Sequence, residues 1–267
     1  MKATVIISVY RDAEALECIL FGLQRQTEKD FEVIVAEDGR YDQIDRVCLK
    51  AGGLRITHQS QDDVGFRKAL AVNRAIAAAK APYLIFLDGD CIPHHSFVES
   101  HLTHASNRRV LAGRRVHLGP KFSARIRADH QLLPKLESKL GLAQLIIPLH
   151  LDRVRNVELS HPSPLMHRAF GKKPINIIGC NFSCFREDML AINGYDEALL
   201  GKGGEDDDLH WRFEGLGIEV VNMKFLLVCY HLHHAALRMG VETNFEQSQF
   251  NLAAGHFRCL DGIEKHH

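Results

Sequence analysis

The sequence contains no long apolar run: within its 267 residues nothing approaches the roughly 20 apolar residues that cross a bilayer. It has no excess of either charge, since 33 Lys and Arg balance 33 Asp and Glu. That balance excludes a broad basic field for nucleic acid. There is no repeating cysteine framework, and seven cysteines, an odd number, fit reduced thiols in a cytosol. Low-complexity segments and internal repeats are absent. Met1-Lys2 leads straight into Ala3-Thr4-Val5-Ile6-Ile7 and then a polar stretch, which is not the pattern of a signal peptide. A soluble cytoplasmic protein is expected.

What is present is ordinary for a globular chain, with 46% apolar and 25% charged residues. The length suits one large α/β domain or two small ones, and it suffices to bury a core. Residues 3–9 read as a buried β-branched strand. Leu16, Ile19, Leu20 and Leu23 recur at helical spacing. Residues 31–36 and 54–57 read as a second and a short third strand. Ala69, Val72, Ile76 and Ala79 mark a helix that stops before Pro82. Residues 83–87 are continuously apolar, as in a strand covered on both faces. Strands alternating with helices imply a mainly parallel sheet with right-handed crossovers, whose ligands sit at the carboxyl ends of the strands.

Residues 119–174 break this rhythm. Lys121, Arg125, Arg127, Arg153, Arg155, Arg168, Lys172 and Lys173 are scattered among apolar residues, and an inserted helical or loop region over the sheet is expected. The mixture, including residues 142–149, matches peripheral contact with an anionic bilayer, although scattered basic residues are more often a solvated face. Beyond it, residues 175–185, 218–221 and 225–230 read as strands, residues 205–216 as a helix, and the tail from 241 as helical. The chain thus divides into a first half, 1–118, the inserted region, 119–174, and a second half, 175–267.

Polar residues just after the strands carry the chemistry. Asp88-Gly89-Asp90 places two carboxylates around a glycine at a strand end. That arrangement can hold a hard divalent cation and leave coordination places for phosphate oxygens, or it can be a simple polar turn. Asp38, in Glu37-Asp38-Gly39, is placed to accept from a nucleobase N–H. Tyr10 follows the first strand and can line the same pocket. Asp12 reads better as a helix N-cap. Arg67 suits a phosphate or base, or an exposed helix face.

Gly203-Gly204-Glu205-Asp206-Asp207-Asp208 is the densest acidic cluster, and a helix dipole alone favours it. Phase separates its members. Asp206 precedes Leu209 by three residues and Phe213 by seven, so it shares their apolar stripe and faces the body of the fold. An inward carboxylate with a raised pKa suits a general base. His231, His233 and His234 end the last strand pattern, and any of them can complete a metal site. Cys229 nearby permits a zinc site, but no Cys-x-x-Cys pair supports one.

Ser8-Val9-Tyr10, Glu37-Asp38-Gly39 and Leu87-Asp88-Gly89-Asp90 together resemble glycosyltransferase family 2, of GT-A fold. Asn193-Gly194-Tyr195-Asp196-Glu197 followed by the acidic cluster is similar to the acceptor-side segment of chondroitin-type polymerases and β-1,4-galactosyltransferases. The resemblance covers residues 1–118 and 175–235. It implies a single-domain α/β fold and an inverting, metal-dependent transfer from a nucleotide diphosphate sugar to a glycan or lipid-linked acceptor. It also implies roles: Asp88 and Asp90 with Mn²⁺ or Mg²⁺ and the diphosphate, Asp38 with uracil, Asp206 as base, and Glu205 and Asp207 with the acceptor. His234 best matches the third metal ligand, with His231 and His233 left open. Lys202 stands where the galactosyltransferases carry tryptophan, which leaves the acceptor undetermined. The Gln-x-x-Arg-Trp motif of processive synthases is missing, so one sugar per encounter is expected. Two rivals remain: a sugar-1-phosphate nucleotidyltransferase, against which the glycine-free Tyr10-Arg11-Asp12-Ala13-Glu14 stands, and a non-enzymatic carbohydrate- or zinc-binding module.

Overall fold

A computed structural model describes residues 1–138, 152–201, 203–235 and 242–265. Strands β1 (Ala3–Val9), β2 (Phe31–Glu37), β3 (Ile56–Ser60) and β4 (Tyr83–Asp88) form one half of the main sheet. All four run parallel. Residues 83–87 of β4 are all buried, as expected of a continuous apolar run covered on both faces, and every residue of β2 is buried too. The sheet continues through β8 (Phe182–Phe185), β6 (Arg109–Ala112) and β9 (Glu219–Asn222), in the order β3-β2-β1-β4-β8-β6-β9. Only β8 runs against its neighbours. A small second sheet, β5-β10-β7, joins Cys91–Pro93, Val228–His231 and Arg114–His117.

Strand order reverses between β1 and β4, so the crevice for a ligand opens at their carboxyl ends. Side-chain alternation along β1 divides the core. Val5 and Ile7 pack with Leu16, Ile19 and Leu23 on one face, while Ile6 packs with Val72, Ile76, Leu209 and Phe213 on the other. The expected α/β class, with a mainly parallel sheet flanked by helices, is therefore what forms.

Several boundaries moved. Of the strand expected at 175–185, only Phe182–Phe185 is extended in the sheet. Asn181 is the reason: its side-chain amide donates to the carbonyls of Arg114 at 2.8 Å and Leu227 at 3.0 Å, replacing ladder bonds and tying the preceding loop down. The strand expected from 225 begins at Val228, because Phe225 takes φ 74°, a left-handed conformation that no strand contains. The third strand lies at Ile56–Ser60, where its register against β2 pairs Ile56 with Val33. The middle segment contributes Ile126, Leu133, Leu136, Val154 and Leu159 to the same core as β1, so its described parts pack into the domain rather than over it. The tail contains the expected helix, Glu242–Ala253. Residues 142–149 and Lys202 lie outside the described residues. Among the described residues, no helix is long and apolar enough to cross a membrane.

The helix Glu205–Gly215 is anchored by a buried ion pair. Arg212 and Asp208, each 1% exposed, meet at 2.7 Å, and the Arg212 guanidinium also donates to the Ile192 and Gly194 carbonyls at 2.8 and 2.7 Å. Removing one partner strands the other charge in a dry environment. Arg212→Met is expected to lower unfolding free energy by about 3–5 kcal/mol. Urea titration followed by circular dichroism measures it, and a loss below about 1 kcal/mol would show that the pair contributes little.

Candidate active site

At the end of β1, Tyr10 is exposed and Arg11 turns left-handed at φ 58°. The Arg11 guanidinium lies 4.9 Å from the centroid of the Tyr10 ring and 5.0 Å from that of Tyr41, and it pairs with Asp63 at 2.6 Å. Asp12 caps the helix Ala13–Gln24 by accepting from the Ala15 N–H at 3.0 Å. Arg127 grips it at 2.6 and 2.7 Å, so Asp12 holds structure, in line with its capping pattern.

Asp38, at the end of β2, is 5% exposed. One of its oxygens accepts from Gln61 Nε2 at 2.8 Å and the other from the Arg67 backbone N–H at 2.6 Å. Each oxygen keeps a second lone pair for an incoming donor. Arg67 thus meets Asp38 through its backbone, while its guanidinium donates to the Asp62 carbonyl at 2.5 Å.

The two aspartates after β4 face different partners. Asp90 Oδ2 lies 3.3 Å from His231 Nε2 and 3.1 Å from His234 Nε2. The ligand atoms of these three residues all fall within 4.8 Å of one another. Burial pushes the Asp90 carboxyl up, but hydrogen bonds from His231 and then His234 outweigh it and hold it well below the usual carboxylate range. The pairing of β10 with β5, which sets His231 opposite Cys91, creates this convergence. His233, past the strand end, instead anchors the chain by donating its backbone N–H to Ser123 Oγ at 2.8 Å.

Asp88 stands outside that cluster. Its Oδ1 accepts from Ser8 Oγ at 3.1 Å and from Lys68 Nζ at 2.9 Å. Lys68 also lies in the field of Asp206, on the far side of the cleft, and these acids hold its ammonium well above its ordinary pKa despite burial. The sequence offered only a faint sign of this lysine. It opens a helix, Lys68–Ala78, whose first turn has no acid, where a cation is unfavourable unless something nearby demands it.

Asp206 points inward, as its phase requires. Its Oδ2 accepts from the Gly179 N–H at 2.8 Å, while Oδ1 is buried without a hydrogen-bond partner. Burial pushes its carboxyl up to about 7; Lys68 opposes the rise, Glu205 and Asp88 add to it, and the Gly179 bond lowers it. Gly204, at φ 87°, makes the tight entry into this helix that a side-chain-bearing residue would resist. A Cβ on Gly179 would stand 2.8 Å from Asp206 Oδ1 and 3.1 Å from Lys68 Nζ, so glycine leaves the space between them open.

The flanking acids diverge. Glu205 accepts from the Gly203 N–H at 2.8 Å and borders a cavity of about 220 Å³ with Arg67, Lys68, Tyr195 and Leu200. Asp207 accepts from Asn176 Nδ2 at 3.3 Å. Asp208 is committed to Arg212. Of the residues singled out in the sequence, the structure brings Asp90 together with His234 and the open candidate His231, and sets His233 apart; Lys68 and Gly179, beside Asp88 and Asp206, were not singled out.

Acids at strand ends thus line a cleft over a mainly parallel sheet whose strand order reverses between β1 and β4. The chain belongs to glycosyl transferase family 2, whose model matches residues 4–185, and residues 169–235 match the model described as the N-terminal domain of galactosyltransferase. Among its relatives is validoxylamine A glucosyltransferase of Streptomyces hygroscopicus subsp. jinggangensis (strain 5008), 31% identical over 228 residues that cover 80% of this chain and 52% of the relative. Chondroitin synthase of Escherichia coli is 33% identical over 216 residues, covering 78% of this chain and 32% of the synthase. The chain therefore spans about half, or less, of the length of these relatives. The fold is that of the GT-A mannosyltransferase PcManGT from Pyrobaculum calidifontis, solved with GDP-Man and Mn²⁺, at TM-score 0.56 and 17% identity over 96% of this chain and 62% of that one.

The Asp206 environment can be checked without any substrate. Its carboxyl carbon should titrate near pH 7 by ¹³C NMR. In Lys68→Met the midpoint should rise, because loss of a neighbouring cation disfavours the anion. A midpoint in the ordinary carboxylate range of about 4 would remove the buried, partnerless oxygen from the argument.

Proposed function

We propose that this chain transfers a sugar from a nucleoside diphosphate sugar to an acceptor hydroxyl, with inversion at the anomeric carbon. The observation that carries this reading is Asp206. It is an inward carboxylate with one partnerless oxygen and a pKa near neutrality, across the cleft from the aspartates that end β4.

Asp38 accepts from the nucleobase with its spare lone pairs, and the exposed Tyr10 ring lies against the same nucleotide. Arg67 borders the pocket beside them. Lys68 holds Asp88 in place and offers a positive charge to the diphosphate. Glu205 and Asp207 bind the acceptor sugar on either side of Asp206. Asp206 Oδ1 takes the proton as the acceptor oxygen bonds to the anomeric carbon and the bond to the diphosphate breaks on the opposite face. Aligning the two substrates this way can itself be worth roughly 7–11 kcal/mol.

Asp90, His231 and His234 fit a divalent cation: one carboxylate and two imidazoles converge. Mn²⁺ or Mg²⁺ bound there would offset the charge that develops on the leaving diphosphate. Imidazole donors favour Mn²⁺ over Mg²⁺. Support also comes from PcManGT, whose solved form carries Mn²⁺ and a nucleotide sugar. The acceptor is a glycan, a small glycoside or a lipid-linked sugar. The family match weighs against the nucleotidyltransferase and binding-module alternatives, and release of a nucleoside diphosphate rather than pyrophosphate separates the first of them.

Asp206→Asn preserves shape but removes the basic oxygen. Turnover should fall by about 10²-fold or more, while donor affinity by calorimetry barely changes. Transfer at near wild-type rate would exclude Asp206 as the base, and loss of donor binding would place it at the nucleotide instead. A chelator should abolish transfer, and Mn²⁺ or Mg²⁺ should restore it. Asp90→Ala should weaken donor binding as well as turnover, and full activity in excess chelator would rule out the cation.

A further inference from the structure

Directly beneath Asp90 lies a group of side chains that sugar transfer does not use. Cys91 on β5, Cys229 on β10 and Cys180 in the loop before β8 are each 0% exposed. Their three sulfurs lie within 4.8 Å of one another. Register brings two of them together, since Cys229 pairs with Pro93 and His231 with Cys91 across the small sheet. The Asn181 anchor brings the third, and Asn181 Nδ2 itself approaches Cys229 Sγ at 3.6 Å.

We propose that Cys91, Cys180 and Cys229 form a trithiolate site for a soft or borderline cation of the Zn²⁺, Cd²⁺ or Cu⁺ class, distinct from the oxygen- and imidazole-bearing site at Asp90.

The geometry suits such an ion. Metal–sulfur bonds of about 2.3 Å place three sulfurs roughly 3.8–4.0 Å apart, inside the observed spread. Soft thiolate donors select these metals over Mg²⁺ or Mn²⁺. Charge also fits. Three thiolates and a divalent ion leave one net negative charge, and the Arg115 guanidinium lies beside Cys180 and Cys91 to balance it. The thiol protons leave to solvent as the ion binds. Asp90 Oδ1 accepts from Cys91 Sγ at 3.2 Å. An ion on Cys91 removes that hydrogen bond, so occupancy of the sulfur site alters the aspartate above it. The other cluster of metal-type side chains away from the cleft, His94, His95 and Glu137, is already balanced, since Glu137 pairs with Arg25 and with His95.

The test is a titration of the reduced full chain with Cd²⁺, read by signals that sulfur ligands give and oxygen or imidazole ligands do not. One equivalent should bind with sulfur-to-cadmium charge-transfer absorption in the near ultraviolet. The ¹¹³Cd NMR signal of the wild-type protein should appear at the low field of a sulfur-rich site. Cys180→Ser should lose the absorption, while Cys48→Ser, at a partly exposed cysteine outside the cluster, should keep it. Absence of the band in the wild type, a cadmium spectrum with oxygen- or nitrogen-type signals alone, or a band unchanged in Cys180→Ser would each overturn the proposal. The wild-type NMR signal decides the matter even if a serine variant does not fold.

Discussion

Lys68 occupies the point where the two halves of the chain meet, and its single charge allows their acids to share one cleft. Its ammonium is 2.9 Å from Asp88 of the first half and within the field of Asp206 of the second. Two buried carboxylates facing each other without a cation would force one to stay protonated. With Lys68 present, the rise that burial imposes on the Asp206 carboxyl is opposed, leaving it at about 7. Gly179 completes the arrangement by adding a backbone N–H and no bulk. A buried cation between two acids is costly to desolvate. That cost is tolerated where acids must be close but unequal, as the roles proposed for Asp88 and Asp206 require.

The second sheet has a matching role on the other side of Asp90. β5 is only three residues long, yet it carries the chain from the donor aspartates into contact with β10. That contact delivers His231 and His234 to one face of Asp90 and brings Cys229 near Cys91, while the Asn181 anchor adds Cys180. Oxygen and nitrogen ligands therefore sit above sulfur ligands within a few residues of chain. One short antiparallel pairing decides both sets, so substitutions in β5 or β10 act on both.

Much of the fold was readable because its signals are local. A continuous apolar run marked β4 and a β-branched run marked β1, since a strand covered on both faces needs no polar alternation. The helical phase that joins Asp206 to Leu209 and Phe213 foretold its inward direction, and both apolar partners are fully buried. Where long-range bonds override local pattern, the reading missed. Asn181 turned most of an expected strand into a loop by bonding to two distant carbonyls. The left-handed Phe225 shortened another. No local signal pairs His231 with Asp90, because 141 positions separate them in the chain and only the β5–β10 register closes that distance.

The amino-acid sequence by itself determined the class of fold, the acids at the strand ends and the face that Asp206 presents, because each follows from the periodicity of a single element. Tertiary structure alone decided which acids meet which cations. It put Lys68 between Asp88 and Asp206, gave Asp90 two histidines, and gathered three cysteines from separate segments. These outcomes depend on distances across the sheet, and electrostatic coupling in a buried site falls off over a few ångströms, a scale that sequence spacing does not encode.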